Sequence, residues 1–262
     1  MNVLEVKNVC KRYSSIKKVN TIALKNINLT LENNEFLGIM GTSGSGKTTL
    51  LNVASGIDKC DEGEINIWDN NICKMKKNEL SLFRRNNIGM VFQDFNLLSS
   101  LTVKENIMVP LILDKKYEIM EGDIVNKFAN MLDIDEIMEK YPYEISGGQQ
   151  QRVAICRAII NNPKIIFADE PTGNIDSKSA EKVLSYFELL HDECNASILM
   201  VTHDPFSASY CDRVVFLQDG SIIKEIRKQG DKVKFLNNIM EVVQEFNTIK
   251  FKNGTNYEKS VI

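Results

Sequence analysis

Residues 35–51 read EFLGIMGTSGSGKTTLL. The apolar run at 35–40 has the length of a buried strand, and it enters a segment with glycines at 41, 44 and 46 that ends in Lys47, Thr48 and Thr49. Apolar residues then return with the start of a helix near Gly46. A strand, a glycine loop and a helix in that order place free backbone N–H groups at the positive end of a helix dipole, which is a cradle for phosphate. Gly41-Thr42-Ser43-Gly44-Ser45-Gly46-Lys47-Thr48 fits G-x-x-x-x-G-K-[ST]. In that pattern the glycines let the backbone close around phosphates, Lys47 reaches the β- and γ-oxygens, and the Thr48 hydroxyl ligates Mg²⁺.

Strands and helices alternate outward from this loop. LEVKNV (4–9) and INLTL (27–31) alternate like edge strands, and the charged helix candidate NELSLFRR (78–85) precedes a strand IGMVFQ (88–93). From about 94 to 160 helical periodicity prevails, through VKENIMVPLIL, EGDIVNKFANMLDI and the helix opened by SGGQ. The alternation resumes with KIIFADE (164–170), a helix over about 177–192, the strand SILMVTH (197–203) and a hairpin VVFLQDGSIIKEI turning at Asp219-Gly220. A last helix over about 232–246 aligns Phe235, Ile239, Val242 and Phe246 on one face, for packing on its own core or for a dimer or regulatory contact. The end, KNGTNYEKSVI, reads as frayed. These elements predict an α/β core over about 1–93 and 161–226 with an antiparallel β edge. A helical subdomain over about 94–160 is inserted, so that 1–228 forms one domain and 229–262 a helical extension and tail.

Composition narrows the function classes. The 262 residues are 43% apolar and 26% charged with net charge −3, an ordinary globular balance with no electrostatic pull on nucleic acid. Residues 101–145 hold ten acidic and five basic side chains, a surface that repels a phosphodiester backbone. Six cysteines without a CxxC pair read as buried small apolar residues in a reducing compartment. The start, MNVLEVKNVCKRY, lacks the apolar segment of a secretory signal, and no run approaches the ~20 apolar residues that span a bilayer. A cytosolic chain that meets a membrane only through a partner is the expectation.

Several polar residues stand where an α/β sheet binds ligands, at the C-terminal ends of its strands. Asp169 and Glu170 end the strand IIFADE (165–170): beside a phosphate loop, Asp169 fits a water-mediated Mg²⁺ ligand and Glu170 a general base for water, although such carboxylates elsewhere cap the next helix. Gln93 ends another strand with an amide suited to Mg²⁺ and the attacking water; alone it is a surface glutamine. His203 is placed to hold a γ-phosphate, where a lone histidine is otherwise a satisfied core residue, and His191 at a charged helix end has no site reading. Tyr13, ahead of the loop, offers a ring to stack on a base or is simply a strand tyrosine.

A second nest, Ile145-Ser146-Gly147-Gly148-Gln149, opens a helix about a hundred residues after the first. One triphosphate is already surrounded by the first nest and Lys47. The second is redundant within one chain and fits a nucleotide held by another copy, in a two-fold dimer burying two nucleotides.

These motifs together resemble the ATPase subunits of ATP-binding cassette (ABC) transporters. In order they are Tyr13, the 41–49 loop, Gln93, the 145–149 signature, the strand ending in Asp169 and Glu170, Gly173-Asn174-Ile175-Asp176, and His203. The resemblance implies a P-loop NTPase fold with a RecA-like core and a helical signature subdomain. It also implies ATP and Mg²⁺ as cofactors, a homodimer across two ATP, and a separate permease contacted near 93–100 and 141–144. Ile145 stands where the family usually has leucine, and Thr42 where many members have proline. IMGTSGSGKTTLLNVASGID, IGMVFQDFNLLSSLTVKENIMVPL, ADEPTGNIDSKSA and VTHDPFSASYCDRVVFLQDG are similar to the macrolide-exporter and lipoprotein-release subgroup. YPYEISGGQ, ASYCDRV and the tail beyond 230 are most similar to the bacitracin-type peptide-resistance branch. That branch implies a permease with a large extracytoplasmic domain, often beside a sensor kinase, and a chain peripheral on the inner face of the cell membrane. The same motifs also serve ATP-gated regulatory modules of the envelope or division machinery that move no bulk cargo. A GTPase is disfavoured because NKFA at 126–129 lacks the aspartate of NKxD.

Overall fold

The structure, a computed structural model, describes residues 1–14, 20–115 and 124–257. Six strands form the central sheet in the order β10 (Ser221–Arg227), β9 (Arg213–Gln218), β3 (Phe36–Met40), β8 (Ile198–Thr202), β7 (Ile165–Asp169) and β6 (Ile88–Val91). Neighbours from β9 to β6 run parallel and β10 closes the edge antiparallel. A second, antiparallel sheet has the order β2 (Asn20–Glu32), β1 (Asn2–Ser14), β4 (Glu62–Ile67) and β5 (Asn70–Asn71).

The central strands are apolar throughout because both sheet faces are covered. Their side chains alternate between two cores. Leu37, Ile39, Phe167, Leu199 and Val201 pack with the antiparallel sheet and with helix α1 (Lys47–Ala54). Phe36, Met40, Ile166, Ala168, Ile198 and Met200 pack on the other side, in one continuous cluster with α3 (Val103–Leu113), α4 (Ile124–Met131), α5 (Gly147–Ile159) and α6 (Ser177–Cys194). Helix α2 (Lys77–Asn87) feeds β6, and the single turn α7 (Pro205–Ala208) follows β8. Of the expected segment EGDIVNKFANMLDI, residues 121–123 lie outside the described residues.

A buried ion pair ties the sheet edge together. Arg213 in β9 meets Glu35, just before β3, through two bonds of 2.6 and 2.9 Å, and it also donates to the Thr30 carbonyl of β2 at 2.6 Å. The β9–β10 hairpin turns at Asp219 (φ 48°) and Gly220 (φ 77°), as the Asp-Gly pair predicts.

Three expectations change. The last helix, α8 (Lys232–Tyr257), runs well past 246 into the stretch expected to fray, while 258–262 lie outside the described residues. Phe235, Ile239 and Val242 are buried against the core and Phe246 meets Phe216 at 5.7 Å, and a helix pinned at its start elongates at little further cost. Strand β6 ends at Val91, so Gln93 lies in the turn beyond it, where Phe95 (φ 59°) and Asn96 (φ 50°) break the extended backbone. Of the cysteines only Cys156 and Cys211 are buried; Cys10, Cys60 and Cys73 are half-buried, and Cys194, at the end of α6 beside the left-handed Asn195, is exposed.

Candidate functional site

The phosphate loop hangs between the end of β3 and the start of α1. Gly46 sits at φ 105°, and a Cβ there would stand 2.6 Å from the Ala23 carbonyl, so the crossing of β2 over the loop demands glycine. Lys47, almost wholly buried, folds its ammonium onto the Gly41 and Thr42 carbonyls at 2.9 and 3.2 Å. It also stands 3.7 Å from the Glu170 carboxylate. An ammonium held this way has charge to share with an anion entering the loop.

Strand order brings the carboxylates to it. Strand β8 pairs with β3 and β7 pairs with β8, all parallel, so their C-terminal ends lie on the same side of the sheet as the loop. Thr48 Oγ1 donates to Asp169 Oδ1 at 3.2 Å. Burial pushes the Asp169 carboxyl above the ordinary carboxylate range; the Thr48 bond pulls it down, the Glu170 charge raises it again and Lys47 lowers it. Two oxygen donors, one of them a carboxylate disfavoured by burial and a like charge, fit a small hard cation such as Mg²⁺. Glu170, one residue past β7, takes φ 42°, rare for a side chain of its size. That conformation is fixed from both sides, since its N–H donates to the Val201 carbonyl at 2.9 Å and its own carbonyl accepts from Gly173 at 3.0 Å. Its second oxygen lies 3.0 Å from His203 Nδ1, on a side chain that is 63% exposed.

Two cavities flank the loop. One of about 600 Å³ is lined by Tyr13, Ser43, Gly44, Lys47, Thr48 and Thr49, with Ile22 and Asp219. It places the Tyr13 ring at the loop's outer edge, where the hydroxyl donates to Asp58 at 2.8 Å. The other, about 450 Å³, runs from Lys47, Glu170 and His203 to an apolar wall of Phe216, Val243 and Phe246. Sequence reasoning did not foresee that α8 helps to wall the loop; no local signal marks that contact.

Gln93, Ser146, Gly147, Gly148 and Gln149 line neither of these cavities. Gln93 donates to Asn174 Oδ1 at 3.3 Å, while Asn174 donates to the Gln93 carbonyl at 3.2 Å and to Asp94 at 2.7 Å. This clasp joins the turn after β6 to the segment after β7. The second nest is a capped helix start: Gln149 N–H donates to Ser146 Oγ at 3.3 Å, and Ser146 N–H to Gln149 Oε1 at 2.9 Å. It packs against 174–179 of its own chain, and a Cβ on Gly148 would lie 2.7 Å from Ser179 Oγ. Arg157, two turns further along α5, donates to the Asn96 and Phe95 carbonyls at 2.6 and 2.8 Å. Arg157 and Asp58 are supporting residues that sequence reasoning missed; Asn174 stands in the motif at 173–176, but its clasp on Gln93 and Asp94 was not foreseen.

Comparison with known proteins places this geometry. The ABC transporter family model matches residues 24–173, from β2 to just past Glu170. The ABC transporter ATP-binding protein YxdL of Bacillus subtilis is 46% identical over 242 residues, 92% of this chain and 93% of its own length. The bacitracin export ATP-binding protein BceA of Halalkalibacterium halodurans is 47% identical over 243 residues, 92% and 95% of the two chains. Among solved structures, the dimeric, post-hydrolysis state of the ATP-binding cassette MJ0796 of Methanocaldococcus jannaschii, bound to ADP and Pi, aligns with TM-score 0.77 and 38% identity. That alignment covers 87% of this chain and 99% of the other. With the phosphate loop, the carboxylate-ended strand and the second nest all within the matched fold, the chain belongs to the ABC transporter family as an ATP-binding, ATP-hydrolysing subunit.

Proposed function

We propose that this chain works as a homodimer closed across two ATP and drives a membrane permease that removes peptide antibiotics. The observation that carries the dimer is that the second nest has no part in its own chain's loop cavities: Ser146–Gln149 lines neither of them, and its glycines face 174–179. A partner copy is then the acceptor for Ser146, Gly147, Gly148 and Gln149, and the dimeric state of the MJ0796 cassette supports this. The peptide cargo rests on the likeness to BceA.

Within each site, residues 41–49 wrap the phosphates, Lys47 leaves the loop carbonyls for the γ-phosphate, and Tyr13 stacks on the base. Thr48 and Asp169, the latter through water, hold Mg²⁺, which when bound neutralises phosphate oxygens. Gln93 joins them once its amide leaves Asn174. Glu170 accepts the proton of the attacking water, and His203 fixes that carboxylate and then the γ-phosphate. The core over 1–93 and 161–226 does this chemistry. The 94–160 subdomain delivers the signature, and 229–262 is an extension on the core.

Among the described residues no helix is long and apolar enough to cross a membrane. The likeness to ATP-binding subunits of transporters supports a place at the cytoplasmic face of the membrane, on a permease with a large extracytoplasmic domain and beside a sensor kinase. The exposed, stacked pair Tyr141 and Tyr143, 5.5 Å apart, marks one contact surface for it.

The Glu170→Gln variant tests the chemistry. It should bind Mg·ATP, dimerise on it, and hydrolyse it roughly 10²–10⁴-fold more slowly. Wild-type hydrolysis no faster than the variant's would remove Glu170 from the role of base. Tagged and extracted from membranes with mild detergent and Mg·ATP, the same variant should bring down a permease with a large outward domain. Recovery of division or envelope-signalling proteins instead would replace transport by regulation.

A further inference from the structure

Cys60 and Cys73 are thirteen positions apart in sequence, yet their sulfurs stand 3.2 Å apart. Cys60 lies in the segment between α1 and β4. Cys73 lies in the short turn after β5, where its N–H donates to the Asn71 side chain at 3.1 Å. Both are half-buried, within reach of a small reagent, and both are free thiols.

The residues flanking Cys60 are tied to the end of β1. Asp58 accepts Lys11 Nζ at 2.9 Å and the Tyr13 hydroxyl at 2.8 Å. Asp61 accepts Arg12 N–H at 2.6 Å and donates its own N–H to the Cys10 carbonyl at 2.9 Å. Whatever fixes Cys60 therefore fixes the segment that holds the Tyr13 ring at the edge of the nucleotide cavity.

We propose that Cys60 and Cys73 are a thiol pair that closes into a reversible disulfide, and that closure fixes Tyr13 for the nucleotide base. The second half rests on the reading of Tyr13 as the base-stacking residue. The oxidant is a low-molecular-weight disulfide, RSSR. Burial and the Cys73 thiol push the Cys60 thiol up to about 12; attack from either sulfur leads to the same bridge, and one route starts at Cys73. The Cys73 thiolate displaces RS⁻ and becomes a mixed disulfide, Cys73–S–SR. Cys60 then attacks the Cys73 sulfur, releasing its proton and the second RS⁻. The protein loses two electrons and two protons, and RSSR is reduced to two RSH.

The test uses the full chain, reduced, desalted and incubated with oxidised glutathione. The expected mass falls by two hydrogens, and a non-reducing peptide map joins Cys60 to Cys73. The closed loop should raise the melting temperature by roughly 5–10 °C. Release of a fluorescent ATP analogue should slow roughly threefold, the size expected when one side chain needs no further ordering on binding. Dithiothreitol should reverse all three changes, and Cys73→Ser and Cys60→Ser, treated alike, should show none. Glutathione adducts alone, or bridges through Cys10 or Cys194, would overturn the pairing. A Cys60–Cys73 bridge with unchanged analogue release would overturn its role at the base. If the reduced protein bound no analogue, the nucleotide reading would fail instead, while the map and the melting shift would still decide the disulfide.

Discussion

At the scale of single residues, His191 takes no part in the site, as its sequence reading has it, but the reading does not show its structural role. It is no idle histidine at a helix end: Nε2 stands 3.1 Å from Asp212 Oδ2, which also accepts the Phe36 N–H at 2.9 Å. The Asp212 bond raises the imidazole pKa above its ordinary 6.5, against the opposing pull of burial. Burial raises the Asp212 carboxyl, but the bonds from His191 and from the Phe36 amide bring it below its ordinary value. A raised folded-state pKa means that the pair stabilises fully below the unfolded value and fades as pH rises through the folded one. Comparing His191→Gln with wild type, the loss in melting temperature should therefore be larger at about pH 5.5 than at about pH 8.5. An equal loss at both would show that His191 acts by packing against Phe36, not by charge.

Among the elements, helix α5 does two things at once. Its first turn is the second nest, and its last turn sends Arg157 to the carbonyls of Phe95 and Asn96. Two consecutive left-handed residues are thereby held by one guanidinium, so a movement of α5 moves the turn that contains Gln93. Arg157→Ala removes two charge-assisted bonds, each of about 1.5–3 kcal/mol. Amide hydrogen exchange at 95–98 should quicken by about tenfold or more while the middle of α5 stays protected. Unchanged exchange there would mean that the Asn174 clasp alone holds the turn. What was legible in the sequence follows the same division. The capped start of α5, the Asp219-Gly220 turn and the phosphate loop were readable because neighbours a few residues apart determine them. The Gln93–Asn174 clasp, spanning 81 positions, and the ion pair of Arg213 with Glu35, spanning 178, arise from strand order, which no local pattern encodes. The reach of α8 differs from its expectation for a related reason: KNGTNYEKSVI reads as frayed from its place at the terminus, and the packing that anchors the start of the helix is no local signal.

For the whole molecule, the two cores meet across one sheet, and the chemistry gathers at the carboxyl ends of its parallel strands. The phosphate loop and the signature nest nevertheless lie on separate parts of each chain. In the proposed dimer every working site draws one part from each copy, and this has a consequence in genetics. Two defective alleles, Lys47→Ala and Ser146→Arg, are each inactive when expressed alone, because both sites of their dimers are damaged. In a mixed dimer both lesions fall on the same site and the other is whole. Co-expression should then restore ATP hydrolysis to the mixed fraction, whereas a chain that completed its site unaided would yield no complementation between these alleles.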